Sequence, residues 1–252
     1  MNLQLDGKTA LVTGAGTGIG YAIAEALAEE GVRVVMVGRR EPVLAEAAAK
    51  LTGAGLPEPL VLPADLSADE AGIKVAQTAI AKAGQIDILV NNAGISEPMG
   101  IGAAEERWRH AYALRVVATR HLAETLLPGM RERGFGRIIN IGGSWEVQSV
   151  INSASVMNAA RTVYHKSLSH MVAADGVTIN TIGPGIIESE QIARIFADPE
   201  DRAREIAANI PIGYFGAPRD LAVMAAFLAS PLARYITGEI IAVDGGKHRF
   251  AF

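Results

Sequence analysis

No cysteine occurs among the 252 residues, which excludes disulfides and cysteine-based zinc sites. The five histidines, His110, His121, His165, His170 and His248, lack metalloprotease-like spacing. Each reads as a surface or helix-packing residue, and no metal is expected. There is no basic run and the formal net charge is −4, so a nucleic-acid partner is not expected. No uninterrupted apolar stretch approaches the roughly 18 residues that cross a membrane. The segment Met1–Asp6 lacks the basic and apolar regions of a signal peptide, and a cytoplasmic protein is expected. No linker, repeat or low-complexity tract divides the chain, so residues 1–252 read as one domain. Apolar residues make up 50% of it, ample for a large core.

What is present begins with glycine. Thr13-Gly14-Ala15-Gly16-Thr17-Gly18-Ile19-Gly20 lies between an apolar run, Thr9–Val12, and a helix-like run, Tyr21–Ala28. Strand, glycine turn and helix are the context of a phosphate-binding loop. The turn lets a pyrophosphate approach the helix N-terminus, where amides point outward and the dipole favours anions. The spacing is Gly-x-x-x-Gly-x-Gly at 14, 18 and 20, not the commoner Gly-x-Gly-x-x-Gly.

Apolar runs then alternate with helical patterns to the end. Strands are expected at 8–13, 32–38, 58–63, 86–91, 136–142, 176–182 and 238–243. Helices are expected at 18–30, 41–52, 68–84, 104–130, 152–174, 190–197, 200–208 and 218–230. Near-continuous apolar strands such as Val32–Gly38 suit a parallel sheet buried on both faces. The alternation predicts an α/β fold, a doubly wound parallel sheet of about seven strands with helices on both faces. Ligands in such sheets bind at the carboxyl ends of strands. The long excursion after strand 176–182 is therefore a candidate substrate lid near 186–215.

Further motifs follow in order. They are Asp65-Leu66, Asn91-Asn92-Ala93-Gly94, Pro184-Gly185, Tyr235-Ile-Thr-Gly238 and Asp244-Gly-Gly246. Together with residues 13–20, they resemble the short-chain dehydrogenase/reductase family over nearly the whole chain. The resemblance implies a Rossmann-like fold and an NAD(P)-dependent oxidoreductase acting on a carbonyl or alcohol. It also implies a homo-oligomer, a tetramer above all, paired through helices 104–130 and 152–174. Gly14, Thr17, Gly18, Ile19 and Gly20 would cradle the cofactor phosphates. Asp65, beside Leu66, would contact the adenine, and Asn91, Ala93 and Gly94 would shape the cleft. Pro184, Gly185, Ile187 and Ser189 would lie beside the nicotinamide.

Cofactor choice has a direct physical argument. An acid at the end of the second strand would bind the ribose 2′-hydroxyl and repel a 2′-phosphate. Gly38 stands there, followed by Arg39-Arg40, and guanidinium groups suit phosphate. NADP(H) is expected over NAD(H). The alternative is that both arginines are solvated charges at a helix start.

The family's chemistry rests on Asn, Ser, Tyr and Lys, and the resemblance places none of them here. Counting back from Gly176-Val-Thr-Ile-Asn180 along an ungapped helix puts the Tyr position at Ala154 and the Lys position at Asn158. Tyr21, Tyr112, Tyr164, Tyr214 and Tyr235 are followed four residues later by Glu25, Val116, Leu168, Pro218 and Glu239. The chain thus contains no Tyr-x-x-x-Lys. The Ser position falls on Gly143, one before Ser144, and the Asn position on Arg115. Tyr164-His165-Lys166 lies about 15 Å further along the helix and reads as packing.

Ala154, Asn158 and Arg161 share a helix face. The candidate catalytic set is Ser144, Asn158, Arg115 and Arg161, in which an arginine replaces the lost lysine cation and stabilises an oxyanion. Ser153 and Ser155 are further candidates to bind the substrate oxygen. The competing expectation pairs the arginines with Glu146 or Glu124, or makes them end-of-helix charges that reach solvent. Three functions remain open: a reductase of a small, partly apolar substrate with a non-standard site, a catalytically silent nucleotide-binding sensor or scaffold, and a non-redox elimination or isomerisation.

Overall fold

A computed structural model describes residues 1–143 and 150–249. Seven strands form one parallel sheet. They are β1 (Thr9–Thr13), β2 (Arg33–Gly38), β3 (Leu60–Pro63), β4 (Ile88–Asn91), β5 (Gly136–Ile141), β6 (Val177–Pro184) and β7 (Ile240–Val243). Their spatial order is β3-β2-β1-β4-β5-β6-β7. The order reverses between β1 and β4, which opens a crevice at their carboxyl ends. Strands β1, β4 and β5 are buried at every residue, as expected of central strands covered on both faces, and Arg137 and Asn140 of β5 are buried with them.

Helices cover both faces. Gly18–Glu29 (α1), Glu41–Gly53 (α2) and Pro218–Ala229 (α9) contribute Ile23, Leu27, Leu44, Leu51, Leu221 and Leu228 to one core. On the other face, Ala71–Ala83 (α3), Ala118–Glu132 (α5) and Ser153–Val172 (α6) contribute Val75, Leu122, Leu126 and Val172. Glu190–Ile195 (α7) and Pro199–Asn209 (α8) fill the excursion between β6 and α9. No helix among the described residues is long and apolar enough to cross a membrane.

The expected helix 104–130 differs from what forms. It is divided into Glu105–Tyr112 (α4), a π turn at Ala113–Val117, and α5. The backbone does not leave helical geometry, so the apolar pattern registers one long helix. The wider turn is invisible to a 3.6-residue period. It is centred on Arg115, and such π turns gather at functional sites.

The glycine turn has a steric explanation. Gly14 has φ +66° and Gly18 has φ +56°, conformations that favour glycine. A Cβ on Gly20 would lie 2.1 Å from the Gly14 carbonyl oxygen and 2.5 Å from Asn92 Nδ2. Only glycine lets α1 start this close to β1.

Candidate active site

A cleft of about 480 Å³ runs along the carboxyl ends of β1, β2, β4, β5 and β6. Gly14, Gly16, Thr17, Ile19 and Gly20 line one end, Arg39 and Arg40 border the mouth near β2, and Arg115 stands among the residues beside β5. The first turn of α1 contains no acid, and Thr17 makes no side-chain cap. Its outward amides are thus free of a competing carboxylate, which suits an anion.

The structure sorts the expected cofactor residues. Ala93, Gly94, Leu66, Pro184, Ile187 and Ser189 line the cleft with the glycine turn and the arginines. Gly18, Asp65, Asn91 and Gly185 do not stand on its wall. Gly18 instead supplies the left-handed backbone that opens α1. The Asp65 carboxylate accepts from Ser67 Oγ at 2.7 Å and Ser67 N at 2.9 Å. Those bonds hold its pKa below the usual carboxylate range, and its neighbours Ala64 and Leu66 face the cleft. Asn91 Nδ2 donates to Asn140 Oδ1 at 3.0 Å inside the sheet. Strand alternation puts the next residue, Asn92, in the cleft. Asn92 Nδ2 donates to the Thr13 and Gly14 carbonyls at 2.9 and 3.3 Å. Gly185 lies against Asp244, with space for no Cβ. Ser189 lines the wall, yet its Oγ accepts from Ile192 N and caps α7.

The last two motifs are framework. Gly238 N donates to Ile179 O at 2.7 Å, and Ile179 N donates to Thr237 Oγ1 at 3.1 Å, tying 235–238 to β6. Asp244 accepts from Gly246 N and from both His248 N and His248 Nδ1.

Arg115, Asn158 and Arg161 do come together. Arg115 Nη1 and Arg161 Nη2 both donate to Asn158 Oδ1, at 3.1 and 3.0 Å. Arg115 Nε also donates to Ile95 O at 2.9 Å, and Arg161 Nη2 to Ile141 O at 2.7 Å. Arg115 is 7% exposed, Asn158 6% and Arg161 1%. Burial pushes Arg115 down to about 10 and Arg161, with Arg115 beside it, to about 9. Both remain cations at neutral pH.

The expected pairing with Glu124 is absent. Its carboxylate takes Arg120 Nη1 at 2.8 Å and the Tyr164 hydroxyl at 2.8 Å instead. Ser144 and Glu146 lie outside the described residues. Tyr164 is thereby engaged with Glu124; burial first and that bond second raise its pKa, and Lys166 pairs with Glu239 at 3.4 Å. Neither reaches the cleft. Ser153 Oγ accepts from Glu97 N at 3.3 Å, and Asn152 Oδ1 accepts from Ala154 N at 2.8 Å to cap α6.

A doubly wound parallel sheet with a glycine-lined cleft at its switch point is the frame of a dinucleotide-binding enzyme. A family model described as enoyl-(acyl carrier protein) reductase matches residues 14–248. The 3-oxoacyl-(acyl-carrier-protein) reductase FabG of Vibrio cholerae is 36% identical over 251 residues, covering 98% of this chain and 99% of that protein. The L-sorbose reductase of Gluconobacter frateurii, solved with NADPH and L-sorbose, superposes with a TM-score of 0.93 at 34% identity, covering 99% of this chain and 100% of that one. A 7α-hydroxysteroid dehydrogenase solved with NADH and a 7-oxo bile acid gives a TM-score of 0.91 at 31% identity, covering 100% and 98%. The chain belongs to the short-chain dehydrogenase/reductase family, whose members are NAD(P)-dependent oxidoreductases.

Proposed function

We propose that the protein is an NADP(H)-dependent reductase of a small, partly apolar carbonyl compound, or the reverse dehydrogenase, with a rebuilt catalytic site. One observation carries this reading. A single cleft joins the glycine turn, the Arg39-Arg40 pair and the Arg115 guanidinium.

The cleft residues fit a dinucleotide. Gly14 and Gly20 leave a cradle that a Cβ would fill, at a helix start free of acids. Gly38 keeps the end of β2 free of a carboxylate. Arg39 and Arg40 form no ion pair among the described residues, so their charge is available to a 2′-phosphate. When bound, the nicotinamide group supplies or accepts the hydride.

The chain's own residues do the rest. Arg115 stabilises negative charge developing on the substrate oxygen, as a fixed cation in a water-poor site. Arg161, behind Asn158, reinforces that field. An arginine does not serve as the proton donor, so the proton comes from water, from Ser144 or from the substrate. Residues 186–215 act as a lid. This is supported by the absence of buried residues in α7 and α8. The Glu188–Arg202 ion pair and the Phe196–Phe215 ring contact lie within this segment, and the Lys247–Glu205 ion pair at 2.8 Å ties α8 to the body.

A second reading, a nucleotide-binding sensor or scaffold without turnover, draws support from Ala154. A methyl group stands where the family's proton donor would be. Steady NADPH oxidation with a panel of ketones, ketoses and 3-oxoacyl thioesters tests the first reading. Tight NADPH binding without oxidation of any substrate would favour the second. A homo-tetramer is part of the proposal, and a monomer mass in light scattering at micromolar concentration would remove it.

A further inference from the structure

The Arg115–Asn158–Arg161 cluster has an electrostatic imbalance that oxyanion stabilisation alone does not explain. Two guanidinium groups are buried against one another, and their acceptors are neutral: a side-chain amide oxygen and two backbone carbonyls. No carboxylate of the described residues lies within ion-pair distance of either. Segment 144–149 contains one acid, Glu146, which is one charge against two. Glu188, on the cleft wall, is already paired with Arg202. Burying a charge without an opposite charge is costly, and the arrangement calls for an anion.

A second observation gives the direction. Guanidinium groups only donate, so the amide oxygen of Asn158 must face both arginines and its NH2 must face away. That nitrogen is buried and has no partner among the described residues. It lies 2.9 Å from where a Cβ of Gly143 would be, so only glycine keeps the space in front of it clear. Gly143 follows Gly142, which lines the cleft with Arg115. Arg115 and Gly142 line one end of the cleft, and the unsatisfied amide donor of Asn158 and the Arg161 cation lie behind its wall rather than on it.

We propose that this end of the cleft recognises a permanent carboxylate on the substrate. Arg115 makes the direct contact, the Asn158 amide donates a hydrogen bond, and Arg161 is a positioning residue whose charge acts through Asn158. On this assignment the natural substrate is an oxo acid or hydroxy acid rather than a neutral ketone. The inference rests on the reductase reading of the cleft and narrows its substrate class.

The test is calorimetric titration of the protein, saturated with NADP+, against pyruvate, acetoacetate and levulinate, each compared with its methyl ester. The three acids place the carboxylate at different distances from the carbonyl. At least one acid should bind ten-fold or more tighter than its ester. Arg115→Gln should remove that difference, and Arg115→Lys should retain part of it. Arg161→Met should weaken acid binding several-fold more than ester binding. If no acid binds more tightly than its ester to the wild type, the inference is overturned without recourse to any variant. NADP+ affinity, measured first in the same cell, separates the two failures. No NADP+ binding overturns the reductase reading, whereas NADP+ binding without acid preference overturns the carboxylate site alone.

Discussion

The guanidinium of Arg115 lies directly over Gly94, where an added Cβ would come within 2.5 Å of Arg115 Cζ. Gly94 closes the motif after β4, and Arg115 occupies the π turn between α4 and α5. The glycine makes the room that the arginine fills. Gly94→Ala should push the guanidinium away from Asn158 at a cost of about 1–3 kcal/mol, the usual range for overpacking. Urea unfolding of the variant would measure it. A variant as stable as wild type would show that Arg115 moves freely and is not held by the Ile95 carbonyl.

Cofactor preference should follow Arg39 and Arg40. NADP(H) should bind more tightly than NAD(H), and Arg39→Ala should abolish most of the difference while leaving NAD(H) affinity nearly unchanged. Calorimetry with both cofactors decides it. Equal dissociation constants in the wild type would mean that the two exposed arginines are solvated charges and nothing more.

Restoring a Tyr-Lys pair is less simple than the sequence implies. On the proposed register, Ala154→Tyr with Asn158→Lys installs the family's Tyr-Lys pair. But Asn158 is the shared acceptor of two guanidinium groups, and a lysine there would add a third cation to them. The double variant should therefore unfold more easily than wild type and gain little. Adding Arg115→Asn and Arg161→Leu should relieve the repulsion and raise reduction of neutral cyclic ketones by about 10²–10⁴-fold, the usual worth of a positioned acid. Initial rates of NADPH oxidation would report the gain. Wild-type rates already matching those of relatives with an intact pair would mean that another acid does this work.

His165 should make the fold acid-sensitive. Both ring nitrogens are buried without partners among the described residues. Burial first, and the Arg161 charge second, push its pKa from 6.5 to about 3. Between those values the unfolded chain binds a proton that the folded chain refuses. This group's contribution to stability is thus fully present above about pH 6.5 and declines as pH falls toward 3. His165→Leu should gain stability relative to wild type between pH 7.5 and pH 5, read from denaturant midpoints. A difference that stays constant across this range would contradict the assignment.

The sheet was legible because aliphatic residues such as Val34–Val37 and Ile88–Val90 cluster in its strands, and each expected strand lies within about two residues of the one that forms. The glycine turn was legible because backbone sterics leave few alternatives to glycine at 14, 18 and 20. Side-chain direction was not. Asn91 and Asn92 are adjacent and identical, and the pleat alone decides which of them meets the cleft. Gly185 and the Asp244 motif are needed for chain-to-chain approach, which the sequence does not distinguish from ligand approach. Counting along α6 did bring Asn158 and Arg161 beside Arg115. That worked because α6 is an unbroken helix, in which spacing determines direction. What holds the arginines was missed, since their acceptors are carbonyls of Ile95 and Ile141 that leave no mark on composition.

The π turn at Ala113–Val117 gives chain length a role that side-chain chemistry does not have. A helix that carries one extra residue in a single turn rotates everything after it by about 100° relative to an α-helix of the same sequence. Arg115 faces inward, and α5 still presents Leu122 and Leu126 to its core, because the surplus is absorbed between them. Deleting any one residue from this turn would restore a regular helix and make the two faces compete for one orientation. A three-nucleotide deletion here should therefore cost more stability than a conservative replacement of the half-buried Val116 or Val117, and relatives that differ here by one codon should differ in what their sites contain.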